Sequence, residues 1–314
     1  MNSHKETDKA IDIQNLGRKF DQFWAVRKVD LSVNKGEIFG LVGPDGAGKT
    51  TVMRMAAGVL LPSEGDILVD GYSVTSDPEM VKKRIGYMSQ RFGLYGDLTV
   101  LENLRFYGDL YEIPRKNREA EEEKLLGFSN LTPFKNRKAK DLSGGMKQKL
   151  GLACSLIHRP AVLLLDEPTN GVDPVSRRDF WKILHEMVKE GVTVFVSTSY
   201  LDEAERCERV GMMQEGRLTM CDNPRNLKET ISGGILEIKS VDPGKTLQVL
   251  KEKYGKISSD VVSGVIRFRL PENSSLKKIE DELKGMGLAP LSIEEARPSL
   301  EDVFINQAMK ADAR

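Results

Sequence analysis

The sequence predicts an α/β fold, in which a largely parallel sheet carries helices on its faces and a smaller α+β domain follows. The first observation is that strand-like and helix-like segments alternate through residues 11–230. The second is that this pattern ends at a Ser-Gly-Gly turn at residues 232–234 and then restarts. We therefore predict one domain at residues 11–230 and a small accessory domain at residues 235–314.

Composition and charge limit the classes of protein that the sequence fits. Lysine and arginine together number 47, as do aspartate and glutamate, so no overall charge would draw the protein to nucleic acid. No apolar run approaches the roughly 18–20 residues that cross a bilayer, and residues 1–8 lack a signal-peptide core. Three cysteines without a CxxC pattern suit a reducing compartment. We expect a cytoplasmic protein.

The stretch that indicates function most directly is residues 43–51, Gly-Pro-Asp-Gly-Ala-Gly-Lys-Thr-Thr, which matches the phosphate-binding pattern GxxxxGK[ST]. An apolar run at residues 38–42 predicts a buried strand before it, and residues 50–57 predict a helix after it. In such a loop, backbone N–H groups and the helix N-terminus surround the phosphates. Lys49 is expected to reach the outer phosphates, and the Thr50 hydroxyl to bind Mg²⁺. The candidate phosphate-binding residues are Gly43, Asp45, Gly46, Ala47, Gly48, Lys49, Thr50 and Thr51.

A pair of carboxylates follows four consecutive aliphatic residues at positions 162–165. This pattern is typical of a fully buried parallel strand whose carboxylates emerge at its C-terminal edge. Asp166 is placed to hold Mg²⁺ with Thr50, and Glu167 to polarise a water for attack on the terminal phosphate. The alternative is two surface acids at a strand end, and the phosphate loop earlier in the chain argues against it.

Two further side chains have both a functional and a purely structural interpretation. Gln90 follows a predicted strand at residues 84–89, and its amide can hydrogen-bond a metal-bound or attacking water, although surface glutamines at strand ends are common. Phe20 precedes the phosphate loop and can stack on a purine ring, or it is a core aromatic residue. The sequence leaves both alternatives open.

A second anion site is predicted where Ser143, Gly144 and Gly145 precede a helix. Ser143 can cap that helix, and two glycines leave the backbone amides bare. A single chain has no evident need for two phosphate-sized sites.

Between the two sites, residues 91–141 have helical character, and we predict a helical subdomain there, with a capping box at Thr99.

In the C-terminal domain the pattern predicts strands at residues 235–241 and 261–270 and helices at residues 245–254 and 274–284. This alternation suggests a ferredoxin-like α+β domain. A last short helix is expected to open near Pro298. The pattern indicates no catalytic group in this domain.

Together the motifs resemble, in this order, the ATP-binding subunits of ABC transporters. The phosphate loop, the glutamine after a strand, Leu-Ser-Gly-Gly before a helix and Leu-Leu-Leu-Asp-Glu-Pro carry this resemblance, which covers residues 11–230. The C-terminal Pro-Ser-Leu-Glu-Asp-Val-Phe at residues 298–304 is similar to the bacterial multidrug-exporter branch. The resemblance implies a P-loop NTPase fold, with ATP and Mg²⁺ as cofactors.

The resemblance also implies that two such domains close head to tail, so that ATP on the Lys49 loop of one is covered by Ser143, Gly144 and Gly145 of the other. Gln90 would sense the nucleotide, contribute to the metal site and face the permease, and Asp173 would lie in the loop that crosses between the domains. Asp166 would hold Mg²⁺, and Glu167 would be the catalytic base. The expected function is hydrolysis of ATP to energise an exporter, with drugs or other amphipathic compounds as candidate substrates. The expected partners are an integral-membrane permease at the cytoplasmic face of the membrane, and a second copy or a second ATPase subunit.

Three residues depart from the family's usual pattern: Asp45 replaces an asparagine, Met146 a glutamine, and Ser199 the histidine that contacts the terminal phosphate and the attacking water. Losing one preorganised transition-state donor typically costs about 10²- to 10³-fold in rate. We therefore expect slow hydrolysis by this subunit alone, or a second subunit with a complete site. Because a serine hydroxyl can itself hydrogen-bond the phosphate, an active homodimer is also an alternative.

Two rival functions remain at this stage. One is a soluble ABC-type ATPase that acts on ribosomes or DNA, but such proteins usually carry two nucleotide domains or basic extensions, whereas this chain has one phosphate loop and zero net charge. The other is a nucleotide-binding regulator that barely hydrolyses ATP. Ser199 favours this second rival and Glu167 argues against it.

Overall fold

The computed structural model describes residues 8–91, 93–231, 234–254, 259–262, 264–271 and 274–312. The chain divides into two compact units, Met1–Cys221 and Asp222–Arg314. The strands of the first unit are β1 (Lys9–Phe20), β2 (Phe23–Asn34), β3 (Ile38–Val42), β4 (Glu64–Val69), β5 (Tyr72–Ser73), β6 (Ile85–Met88), β7 (Val162–Asp166), β8 (Thr193–Thr198), β9 (Arg209–Gln214) and β10 (Arg217–Asp222). Its α-helices are α1 (Lys49–Ala56), α2 (Pro78–Arg84), α3 (Val100–Leu110), α4 (Glu119–Phe128), α5 (Gly144–Leu156), α6 (Pro174–Lys189) and α7 (Leu201–Ala204).

A six-stranded sheet with the order β10-β9-β3-β8-β7-β6 forms the centre of the first unit. The pairs from β9 through β3, β8 and β7 to β6 are all parallel, as the alternation of strands and helices predicts. Every residue of β3, β7 and β8 is buried, which explains the apolar runs at residues 38–42, 162–165 and 194–196. Because parallel strands end at one edge, the segments that follow β3, β6 and β7 meet there.

A second, antiparallel sheet of the first unit has the order β2-β1-β4-β5. The sequence predicted strands here but not their separation into a sheet of their own. The sequence of residues 29–33 predicts a strand, and the observed β2 is longer than this segment. The β1–β2 register places Phe20 opposite Phe23 across a tight turn. The hairpin therefore ends in a pair of aromatic side chains.

In the described part of residues 91–141 the regular elements are helical: α3, α4 and three short 3₁₀ turns. The capping box at the start of α3 is confirmed, because Thr99 and Glu102 exchange side-chain and backbone hydrogen bonds. Among the residues with assigned positions, no helix has the length and apolar character to span a membrane.

The second unit contains α8 (Pro224–Glu229), α9 (Pro243–Tyr254), α10 (Leu276–Gly285) and α11 (Leu300–Asp312), with strands β11 (Ile235–Lys239), β12 (Ser259–Val262), β13 (Val265–Arg269) and β14 (Ser292–Ala296). Its strands form an antiparallel sheet in the order β12-β13-β11-β14. From β11 to β14 the elements follow the β-α-β-β-α-β order of a ferredoxin-like motif. The predicted single strand at residues 261–270 is wrong, because the chain reverses at Gly264, where φ is +81°, and forms the hairpin β12–β13.

The last helix, α11, is longer than the short helix that the sequence predicted. It is tied to β13 by Arg267, which donates from Nη2 to Asp302 Oδ2 at 2.9 Å. Helix α8 makes its contacts with α11. The limits at residues 11–230 and 235–314, together with the subdomain at about residues 91–141, stay predictions.

Candidate functional site

The phosphate loop at residues 43–51 connects β3 to α1, in the strand–loop–helix order that the sequence predicted. Two of its glycines are required by close backbone contacts. At Gly43 an added Cβ would lie 2.2 Å from the Met213 carbonyl oxygen. At Gly48 the φ of +102° disfavours any side chain, and an added Cβ would lie 2.4 Å from the Ala25 oxygen. The loop conformation therefore depends on glycine at both positions.

Lys49 is the first residue of α1, and its side chain is only 3% exposed. Its ammonium donates to the carbonyl oxygens of Gly43 at 2.8 Å and Pro44 at 3.0 Å. The same nitrogen lies 3.2 Å from Oε1 of Glu167. The lysine thus connects the phosphate loop with the candidate catalytic base.

Thr50 and Asp166 form the oxygen-rich corner of the site. The Thr50 hydroxyl donates to Asp166 Oδ1 at 3.0 Å, and the Ser197 hydroxyl donates to the same oxygen at 2.7 Å. Burial, followed by the nearby Asp166 carboxylate, raises the pKa of Tyr87 to about 12, so this neighbour stays neutral at physiological pH. The oxygen atoms of this corner are those of the Asp166 carboxylate and of the Thr50 and Ser197 hydroxyls.

These donors fit Mg²⁺, a hard ion that prefers oxygen ligands and is commonly held by few carboxylates together with substrate phosphates. Within the described ranges, no group of three or more His, Cys, Asp or Glu side chains is arranged to hold a metal ion. A site built on Thr50 and Asp166 is thus of the type in which a nucleotide supplies further ligands.

Glu167 follows β7 with a φ of +49°, a conformation that non-glycine residues rarely adopt and that is often found at functional sites. Its backbone N–H donates to Ser197. Its Oε2 accepts from the amides of Gln90 at 3.3 Å and Asn170 at 3.4 Å. The carboxylate is therefore oriented by two amides and by Lys49.

One cavity of about 490 Å³ joins most of the predicted site. Its predicted lining residues are Phe20, Asp45, Gly46, Ala47, Gly48, Lys49, Thr50, Thr51, Gln90 and Glu167. It is also lined by Phe23, Ala25 and Asn170, which the sequence did not assign to it. Phe20 is 43% exposed, which excludes the interpretation as a core aromatic residue, and its stacking on a base stays a prediction.

The remaining predicted residues lie outside this cavity. Ser143 caps α5 by accepting from Met146 N, as predicted, and Ser143 and Gly144 are exposed while Gly145 is buried. Asp173 caps α6, and hydrogen bonds from Ser176 hold the pKa of its carboxyl below the usual value. Ser199 is an exposed residue after β8. The described residues that line the cavity at the Lys49 loop do not include Ser143, Gly144, Gly145, Asp173 or Ser199.

A buried carboxylate that the sequence analysis missed supports the segments around Glu167 and Ser199. Glu203 is fully buried and accepts from the hydroxyls of Thr169 and Thr198, with the Thr198 bond at 2.8 Å. Nε of Arg177 lies 3.3 Å from Glu203 Oε1. The acidic character of α7 was the available signal, but burial of one of its acids follows only from the tertiary structure.

The ABC transporter family matches residues 26–170. The chain is 42% identical over 303 residues to the probable multidrug ABC transporter ATP-binding protein YbhF of Escherichia coli (strain K12), covering 95% of this chain and 52% of that protein. The chain thus spans about half the length of this relative and of its Shigella flexneri counterpart. It is 34% identical over 299 residues to the Nod factor export ATP-binding protein I of Burkholderia thailandensis, covering 94% and 95%.

Solved structures give the same result. The structure of cbiO1 from Clostridium perfringens, described as part of the ABC transporter complex cbiONQ, has a TM-score of 0.66 and 28% identity, covering 72% of this chain and 94% of that chain. The dimeric ATP-binding cassette MJ0796, described as a post-hydrolysis state bound to ADP and Pi, has a TM-score of 0.61 and 26% identity, covering 68% and 98%. The chain has the fold of these cassettes and belongs to the family of ABC transporter ATP-binding proteins.

Proposed function

We propose that the protein binds ATP with Mg²⁺ and hydrolyses it to energise export through an integral-membrane permease. The observation that carries this proposal is that Lys49, Thr50 and Glu167 line one cavity, and that the buried Asp166 accepts a hydrogen bond from the Thr50 hydroxyl. Each of these residues has a chemical role in the reaction. Phosphoryl transfer depends chiefly on positioning and on stabilisation of charge, which such a group of residues supplies.

In the proposed reaction a water attacks the terminal phosphorus of ATP, its proton passes to the Glu167 carboxylate, and ADP leaves. Gln90 and Asn170 orient the carboxylate through the hydrogen bonds to its Oε2. Lys49 contacts the outer phosphates and stabilises their negative charge. Thr50 and Asp166, with Gln90, would hold Mg²⁺, which would neutralise charge on the phosphate oxygens when bound.

We propose that the complete site forms between two nucleotide domains, either two copies of this chain or this chain and a second ATPase subunit. Ser143, Gly144 and Asp173 support this, because they lie at helix starts outside the chain's own cavity, where a partner's nucleotide can be contacted. A head-to-tail arrangement gives both anion sites a use. The dimeric cassette among the similar structures is a precedent for such a pair.

The proposed cargo and location come from the relatives. Their names refer to multidrug transport and to Nod factor export, and drugs or other amphipathic compounds are therefore the proposed substrate class. The protein is proposed to bind a permease at the cytoplasmic face of the cell membrane as a peripheral subunit. Zero net charge gives no support to a nucleic-acid partner.

Two variants test the proposed reaction in the purified protein. Lys49→Ala is expected to lose ATP binding together with hydrolysis, whereas Glu167→Gln is expected to keep ATP binding and lose hydrolysis. Equal hydrolysis by wild type and Glu167→Gln would contradict the role of Glu167.

A separate experiment tests the proposed permease partner. The wild-type protein is expected to cofractionate with membranes and to be released from them when the permease gene is deleted. A protein that stays with ribosomes instead would contradict the transport function.

A further inference from the structure

Gly144 and Gly145 are neighbours at the start of α5, but their surroundings differ. An added Cβ at Gly144 would meet no atom within 4 Å. At Gly145 an added Cβ would lie 2.5 Å from both Cβ and Oγ of Ser176. A Cβ atom cannot rotate away, so any side chain at position 145 would force the two helices apart. Glycine is therefore required at position 145 by the chain's own packing, and at position 144 it is not.

Ser176 lies in the first turn of α6, the helix that Asp173 caps. Asp173 Oδ1 accepts from the backbone N–H groups of Val175 at 3.1 Å and Ser176 at 2.9 Å. Ser176, which packs against Gly145, therefore also donates a backbone hydrogen bond to Asp173, the residue predicted to contact the partner domain. Movement of Ser176 would also move Asp173.

Helices α5 and α6 are joined at a second point by charge. Lys149 Nζ lies 3.3 Å from Asp179 Oδ2, and Lys149 is a buried lysine. The next residue after Ser176, Arg177, forms an ion pair with Glu203 and stacks on the ring of Tyr200, with its guanidinium carbon 4.2 Å from the ring centroid. The first turn of α6 thus contacts α5 on one side and the segment after Ser199 on the other.

We propose that glycine at position 145 lets α5 pack closely against α6 at Ser176, and that this close packing sets the position of the Ser-Gly-Gly segment (Ser143, Gly144 and Gly145) relative to Asp173. The two surfaces then meet a partner domain as one rigid unit. This inference rests on the proposed function, because the segment acts on the partner's nucleotide. It assigns the need for glycine at position 145 to packing within the chain, and not to contact with that nucleotide.

A double-mutant cycle tests this assignment. In the otherwise wild-type protein, Gly145→Ala is expected to lower kcat more than tenfold. In the Glu167→Gln background, where bound ATP is not hydrolysed, it is expected to weaken ATP-dependent dimerisation more than tenfold. The affinity of the Lys49 loop for ATP is expected to change less than twofold. Ser176→Gly alone is expected to lower kcat less than threefold, because the pair Lys149–Asp179 still joins the helices. Gly145→Ala combined with Ser176→Gly is expected to return kcat to within threefold of wild type, because the substitution removes both clashing atoms.

Gly144→Ala is the matched control. It adds the same methyl group one residue earlier, where no atom of the chain lies within 4 Å of the added Cβ. Because this methyl group does not meet Ser176, we expect that Ser176→Gly does not restore any kcat that Gly144→Ala loses. Failure of Ser176→Gly to rescue Gly145→Ala, in kcat and in thermal stability, would overturn the inference. Rescue of Gly144→Ala to the same extent would also overturn it.

The cycle separates this inference from the proposed function. If wild type shows no ATP-dependent dimer, the proposed function fails, but the contact is still tested by the midpoint of thermal unfolding, which Gly145→Ala lowers and Ser176→Gly restores. If Gly145→Ala is insoluble, recovery of soluble protein in the double variant supports the contact, and continued insolubility contradicts it.

Discussion

The Thr50 hydroxyl donates to Oδ1 of Asp166 at 3.0 Å, although 116 residues separate the two in the chain. The contact exists because β3 and β7 are parallel neighbours of β8, so that the segments following them meet at one edge of the sheet. The hydroxyl of Ser197, near the end of β8, donates to the same carboxylate oxygen. Thr50 from α1 and Ser197 from β8 thus donate to one oxygen of the last residue of β7.

The contact between Thr50 and Asp166 predicts that the Thr50 hydroxyl is needed for Mg²⁺ binding and not for folding. Thr50→Ala is expected to raise the Mg²⁺ concentration for half-maximal ATPase activity more than tenfold, because one oxygen ligand is lost. Thr50→Ser keeps the hydroxyl and is expected to stay within threefold of wild type. Titration of Mg²⁺ at saturating ATP measures both. Equal Mg²⁺ dependence of Thr50→Ala and wild type would contradict the metal site.

Ser199 predicts a slow reaction. Ser199→His is expected to raise kcat more than tenfold, because a preorganised donor to the transition state is worth about 10²- to 10³-fold. The measurement is steady-state hydrolysis at saturating ATP. Ser199→Ala is the matched control, since it removes the hydroxyl without adding a donor. If Ser199→His leaves kcat unchanged and Ser199→Ala lowers it, the serine itself serves the reaction and the slow-site hypothesis is wrong.

Glu203 is predicted to be important for the stability of the first unit. Glu203→Ala removes the ion-pair partner of Arg177 and the acceptor of two threonine hydroxyls, and breaking a buried ion pair typically costs about 3–5 kcal/mol. We expect the free energy of unfolding in urea to fall by about 3 kcal/mol. Asp202→Asn tests the same arginine at an exposed position, where the ion pair measures 3.8 Å, and is expected to cost less than about 1 kcal/mol. Equal effects of the two variants would contradict the buried role of Glu203.

The second unit is predicted to lose stability in acid through Asp302. Burial raises the pKa of Asp302, but hydrogen bonds from Arg267 and Ser299 outweigh it and hold that pKa below its usual value. The ion pair therefore stabilises fully above the unfolded-state pKa of about 3.9, and this stabilisation is lost as the pH falls through the lower folded-state pKa.

Hydrogen exchange in α11, corrected for intrinsic rates, measures this effect in the full chain. In Asp302→Asn the opening free energy is expected to depend less on pH below about 4 than in wild type. Glu301→Gln changes the exposed neighbour and serves as the control. A pH dependence that is the same in wild type and Asp302→Asn would contradict the role of this carboxyl.

Local signals in the sequence predicted the elements around the site well. The five residues of β3 were predicted with their observed bounds, because a short apolar run before a phosphate loop leaves little choice of structure. The capping box at Thr99 was equally reliable, since both of its hydrogen bonds lie within one helical turn. Asp166 and Glu167 could be placed because parallel strands expose their C-terminal residues at one edge.

Other features could not be predicted because they depend on residues distant in sequence. The hairpin β12–β13 was missed, since residues 261–270 alternate like one strand, whereas the chain reverses near Gly264, which has a positive φ. Phe23 enters the cavity through its register with Phe20. The contact between Gly145 and Ser176 depends on how closely α5 and α6 approach, which no local pattern reports.

The central claim is that ATP is hydrolysed by Glu167 at a site completed by a second nucleotide domain. The most direct test is Mg²⁺-dependent ATP hydrolysis by the purified protein over a series of protein concentrations, with Glu167→Gln as the control. The claim predicts that turnover per molecule rises with protein concentration and vanishes in the variant. Turnover per molecule that is constant across the series, or that persists in Glu167→Gln, would contradict it.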